Sequence, residues 1–237
     1  MFKKYLFAAL LLLGVSKLSA HAIWIETNTT GKVGQAQDVK VFLGEFADNE
    51  RDSISHWFSN MKDFELFLVA PDGTKKKLDV TANGNYFKAS FTPEAAGVYT
   101  LTIDQTVKDV YGGTKLRYSA LGIVKVNQSA TGIENVKKHT ALVLVPADKK
   151  HKVNTAENVH LLFNNTKPAG SAVTVQSPEG WSKKFHANGN GDISFSPVWA
   201  GRYMLEGTFT EKESGTHEGT AFTSVWHCVT YCMDVEK

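Results

Sequence analysis

The chain has little cysteine, almost no net charge, no long helical period and only one extended apolar run. Its two cysteines, Cys228 and Cys232, fall in a stretch that reads as the last strand. Four residues of strand span about 13 Å, whereas a disulfide needs Cα atoms within about 7 Å, so a bond between them is excluded if that strand forms. The spacing also matches no cysteine-based zinc motif, and the pair reads as two small buried hydrophobes. No nucleophile elbow, phosphate-binding glycine loop or zinc-protease helix is present. Acidic residues are scattered, and no two can be set face to face from the sequence. The chain therefore reads as a non-enzyme.

The single apolar run is at the start. Lys3 and Lys4 precede the apolar stretch Tyr5 to Val15, and Leu18-Ser19-Ala20 offers a small-residue cleavage site. This is the pattern of a secretory signal peptide, residues 1–20, cut after Ala20. The run is too short to span a bilayer, which takes about 20 apolar residues. No cysteine lies near residue 20 for lipid attachment, and no later stretch is apolar enough to insert. The expectation is a periplasmic protein with no direct membrane insertion. A competing cut after Ala22 also fits, because Ala20-His21-Ala22 is itself a suitable site.

Removing 20 of 237 residues leaves 217, enough for one large or two small domains. Three of the 26 Lys and Arg residues (Lys3, Lys4, Lys17) leave with the signal, so 23 basic residues face 24 acidic ones. That balance gives no electrostatic basis for binding nucleic acid. A hydrophobic content of 42% is sufficient for a packed core.

Short runs rich in Val, Phe, Tyr, Thr and Leu alternate with Gly, Asn, Asp and Pro, which reads as strands joined by turns. Only residues 52–62, around His56, Trp57 and Phe58, suggest a short helix or ordered loop. The chain also repeats itself. Pro71-Asp72-Gly73 matches Pro178-Glu179-Gly180, and Ala82-Asn83-Gly84-Asn85 matches Ala187-Asn188-Gly189-Asn190. Phe91, Pro93, Ala96, Gly97 and Tyr99 match Phe195, Pro197, Ala200, Gly201 and Tyr203. Each block reads as strands separated by a Pro-acid-Gly, an Asn-Gly and an Ala-Gly turn, with glycine supplying positive φ. The expectation is an all-β chain of two tandem immunoglobulin-like β-sandwich modules, residues 21–130 and 136–237. Asn127 to Asn135 reads as a polar linker. Tyr99 and Tyr203, each after an Ala-Gly turn, read as tyrosine corners.

Chemistry is left to the histidines. Cleavage after Ala20 makes His21 the first residue, and its α-amine and imidazole can then chelate one metal ion. Such donors suit Ni, Co, Cu and Zn rather than Ca or Mg. His217 lies in a His-Glu-Gly loop before the last strand, His227 lies within that strand beside Trp226, and His56 sits in the irregular segment. His139 and His151 follow lysine pairs whose charge disfavours a cation. His160 and His186 occupy β positions and have no assigned role.

An export signal ending at His21-Ala22-Ile23-Trp24-Ile25, two β-sandwich halves, and a His217-Glu218-Gly219 loop before Val225-Trp226-His227 resemble a known family. It is the bacterial envelope family described as periplasmic components of nickel/cobalt uptake systems. The resemblance covers nearly the whole mature chain. It implies capture of a transition metal ion, Ni or Co ahead of Cu or Zn, for an inner- or outer-membrane metal transporter. His21 and Trp24 match the family's start, and His217 and His227 its end; His56 matches no motif. In this reading His21 anchors the metal, His217 and His227 complete the site, and Trp24 and Trp226 limit water access. Two rival readings differ in class. One is a non-catalytic envelope interaction or carbohydrate-binding module, indifferent to His21. The other is a copper oxidase that cleaves polysaccharide, which needs a second histidine and a flat aromatic face.

Overall fold

The computed structural model describes residues 21–168 and 170–237; the signal segment expected at 1–20 lies outside the described residues. The fold is all-β. The first half holds β1 (Ala22–Thr27), β2 (Thr30–Gly31), β3 (Gln37–Glu45), β4 (Glu50–Arg51), β5 (Leu66–Val69), β6 (Lys75–Leu78), β7 (Thr81–Asn83), β8 (Tyr86–Phe91), β9 (Gly97–Tyr111) and β10 (Thr114–Val126). The second holds β11 (Leu142–Pro146), β12 (His151–Lys152), β13 (Glu157–Phe163), β14 (Ala172–Gln176), β15 (Ser182–His186), β16 (Asp192–Phe195), β17 (Gly201–Glu211), β18 (Gly215–His217), β19 (Thr220–Phe222) and β20 (Ser224–Glu236). The irregular segment around His56 forms two 3₁₀ turns, Ile54–His56 and Met61–Asp63. No helix among the described residues is long and apolar enough to cross a membrane.

The two halves share one sheet, ordered β15-β14-β17-β20-β10-β9-β5-β6. At its centre β10 and β20 run parallel, from Thr114 opposite Ser224 to Leu121 opposite Tyr231. Reading outward from that pair, equivalent strands of the repeat follow in the same order on both sides. Alternation along the central strands divides the core. Ala120 and Cys228 face one cluster, with Ile23, Leu43 and Leu101. Leu121 and Val229 face the other, with Leu144, Leu161 and Leu205. The sheet β1-β3-β8-β7 covers the first face and β11-β13-β16 the second. The halves are thus related by a near two-fold rotation along the strands. Pairing β10 with β20 also removes two open sheet edges, and the outer edges β6 and β15 carry Lys75–Lys77 and Lys183–Lys184, which discourage further pairing.

Each half closes with its tyrosine corner. Tyr99 Oη accepts from the backbone N–H of Glu94 and Ala95, and Tyr203 Oη from that of Trp199. The segment Asn127–Asn135 is a docked strap rather than a free linker. Buried Asn135 donates to the carbonyls of Ala70 and Pro71, and Val98 N–H donates to Thr131 O. Gly132 has φ +87°, and a Cβ there would lie 2.6 Å from Pro71 Cα.

Cys228 and Cys232 both lie on β20, and neither is in a disulfide. Burial pushes both thiols up, and the thiolate is the reactive form. Iodoacetamide at pH 8 is therefore expected to add nothing to the folded protein and two adducts per chain in denaturant. Intact mass reads the outcome; an adduct on the folded chain would show that β20 opens locally.

Candidate functional site

The first core ends in a cluster of ionisable groups. His21 immediately precedes β1, and Ala22 pairs with Gly44, so His21 stands level with Glu45 at the end of β3. Strand alternation points both inward, continuing the rows Ile25-Ile23 and Val41-Leu43. The chain then turns over residues 46–49 and returns as β4, with Glu45 opposite Glu50 and Gly44 opposite Arg51. Asp52 N–H donates to Leu43 O and holds the return in place. Gly44 has φ +148°, and a Cβ there would meet Glu50 O at 2.5 Å, so this close return requires glycine.

The result is one imidazole among three carboxylates. His21 Nδ1 lies 3.4 Å from Glu45 Oε1, and His21 Nε2 lies 3.3 Å from Asp52 Oδ2. Ligand atoms of His21, Glu50 and Asp52 all fall within 4.8 Å of one another. Glu45 Oε1 is buried and has no hydrogen-bond partner. Arg51, between the two acids of the return, points to the opposite face. There its guanidinium lies over Trp24 and Phe42 and pairs with Glu26. The intervening cation is thereby kept from neutralising Glu50 and Asp52.

The other histidines lie elsewhere. His217 ends β18, in a hairpin whose tip is Glu218-Gly219, and its Nε2 is 3.0 Å from Val107 O. His227 is buried on the second-core side of β20, against Phe163 and Phe209, with Nε2 3.3 Å from Glu211 Oε2. Burial, and then the Arg117 charge, push its pKa down. His56 is exposed, and its Nδ1 meets Ser53 Oγ at 3.1 Å. None of the three joins the cluster at His21 among the described residues. Trp226 stacks edge-on to Tyr118 at 5.4 Å. Trp24 lies on the face of β1 opposite His21, stacked on Phe42, and its Nε1 donates to Glu26. Glu45, Glu50 and Asp52 are the residues that sequence reasoning missed. The available signal was a strand ending Gly44-Glu45 followed by acids at alternating positions 50 and 52.

A second acid responds to this cluster. Glu206 on β17 stands between Thr174 and Thr230 in the shared sheet. Gln176 bonds both sides, donating to Glu206 Oε2 at 3.5 Å and accepting from Ala47 N–H at 3.0 Å. Burial first, and then the charge of Glu45, push the Glu206 carboxyl up to about 7. An acid raised in the folded state contributes stability that is present below its unfolded pKa of 4.5 and lost as pH rises through about 7. Glu206→Gln is therefore expected to gain on the native protein by on the order of 2 kcal/mol between pH 4.5 and pH 8. Urea unfolding at both pH values measures this, and a constant difference would exclude the raised acid.

No family model matches the sequence, and no curated protein sequence matches it. Among solved structures, the chain is similar to one described as "Biofilm associated protein - BSP domain". The identity is 14% over 87% of this chain and 29% of that chain, with a TM-score of 0.25. This chain thus spans under a third of that neighbour's length.

Proposed function

We propose that this protein binds one divalent transition metal ion at the His21 cluster and serves as a periplasmic carrier for a membrane uptake system. The carrying observation is the convergence of His21, Glu50 and Asp52, whose ligand atoms all fall within 4.8 Å of one another. Asp52 stands at the Nε2 side of the ring, and Glu45, with a buried oxygen lacking a hydrogen-bond partner, stands at Nδ1. The donor set fits. One imidazole with carboxylates suits Ni, Co and Zn, and the cluster holds no thiolate among the described residues, which disfavours Cu(I). Cleavage after Ala20 would free the α-amine of His21, which chelates together with Nδ1, the ring nitrogen beside Glu45. The ion is cargo in this reading. Exposed Glu50 leaves the site open on one side, where a receiving protein could exchange ligands.

The test is the native intact mass of the protein purified from the periplasm, with stoichiometric Ni, Co, Cu or Zn. A chain that begins at His21 and retains one ion supports the reading, and the retained ion identifies the cargo. A chain that begins at Ile23, or that retains none of the four, overturns it.

A further inference from the structure

The internal repeat provides a control for side chains that the fold does not require. In the first half, Ala70 N–H donates to Thr74 O and Gly73 N–H to Ala70 O; in the second, Ser177 N–H donates to Trp181 O and Gly180 N–H to Ser177 O. Trp181 therefore occupies the position of Thr74. The two tyrosine corners likewise equate Trp199 with Ala95, since both donate their backbone N–H to the corner hydroxyl. Val198 stands where the first half has Glu94. The same turns close without any of the three large apolar side chains.

The second half leaves all three partly exposed. Trp181 is 39% exposed, Trp199 37% and Val198 61%. The two indoles lie 6.5 Å apart at 50°, so they do not stack on each other and form a shallow V. Exposed Glu179, Ser182 and Lys183 flank Trp181. The first half closes the same turns with Thr and Ala, so two indoles left more than a third exposed are not required by the turns, which points to a ligand.

We propose that Trp181 and Trp199 form a saccharide subsite that seats one pyranose ring of a β-linked, glucose-configured oligosaccharide. Such a ring presents axial C–H groups on its faces and equatorial hydroxyls at its rim. The faces match the indoles, and exposed Glu179 and Lys183, each two residues from Trp181, offer charged partners for rim hydroxyls. Area argues against a protein partner or a second copy. Three partly exposed side chains fall far short of the roughly 800 Å² per partner of a stable interface. One or two rings bind weakly, so the expected dissociation constant is millimolar. The subsite does not depend on metal at His21.

The test is titration of the ¹⁵N-labelled protein with cellotetraose and with chitotetraose, following the indole N–H signals assigned by single substitution. The signals of Trp181 and Trp199 are expected to shift and saturate with at least one sugar, while the buried Trp24 and Trp57 signals stay fixed. Trp181→Thr with Trp199→Ala, the first-half residues, is expected to weaken binding at least about tenfold in a chain that still folds, as its dispersed amide spectrum shows, although with a lower thermal midpoint because both indoles are largely covered. The proposal is overturned if neither sugar moves the two signals, or if the double variant binds as well as the native chain. It is equally overturned if the signals move on concentrating the protein alone, which would mark a contact between copies, or move only with phospholipid vesicles.

Discussion

If the proposed site binds metal, His21→Ala is expected to lower the affinity by at least about 100-fold, because it deletes the one imidazole of the cluster among the described residues. Asp52→Asn and Glu50→Gln are each expected to weaken binding by about tenfold, the acids being partly replaceable by one another and by water. His217→Ala is expected to leave the affinity unchanged, since that ring is held at Val107 O. Isothermal titration of the mature protein and these variants separates two ligand sets. Equal losses from His21→Ala and His217→Ala would restore the set implied by family resemblance, and would require β18–β19 to move toward the N-terminus. Loss from His21→Ala alone supports the cluster at the mouth of the first core.

Trp24→Ala destabilises the protein by about 3–5 kcal/mol, the range for deleting a large buried aromatic side chain. Trp24 is wholly buried and lies in a third cluster with Phe42, Phe46, Met204 and Cys232. These side chains come from β1, β3 and the following turn on one side, and from β17 and β20 on the other. They thereby tie the two halves together on the face away from His21. Removing the indole also leaves Arg51 without one of its aromatic faces and Glu26 without the Nε1 donor. Trp24→Phe keeps most of the packing and is expected to cost less. Urea unfolding measures both, and a loss below about 1 kcal/mol for Trp24→Ala would mean that this cluster is not well packed. Metal affinity of the folded Trp24→Phe protein should match that of the native chain, because the ring does not face the cluster. A change there would favour the shielding role suggested by the family resemblance.

Much of the fold was legible. Alternating Val, Phe and Tyr runs mark most strands, and the turn residues Pro71-Asp72-Gly73 and Pro178-Glu179-Gly180 pair the halves in the sequence alone. Both tyrosine corners followed from Ala-Gly turns. The polar composition of Asn127–Asn135 marked a linker but not its docking, because Asn135 spends its polarity on the buried carbonyls of Ala70 and Pro71 instead of on water. His21 stands out in the sequence as a candidate metal ligand only through its place after the expected export signal. Its acidic neighbours do not, because Glu50 and Asp52 reach it through a hairpin whose tightness depends on the backbone at Gly44.

The sequence by itself determined what depends on near neighbours along the chain: strands, turns, the repeat, and a disulfide made impossible by two cysteines on one strand. Only the tertiary structure decided the parallel pairing of β10 with β20, which puts the two cores on opposite faces of one sheet. It also decided that His227 serves the second core while His21 caps the first. Which face a residue reaches follows from alternation, but which face meets which partner is set by the packing of whole sheets, and that is a property of segments as much as 207 residues apart.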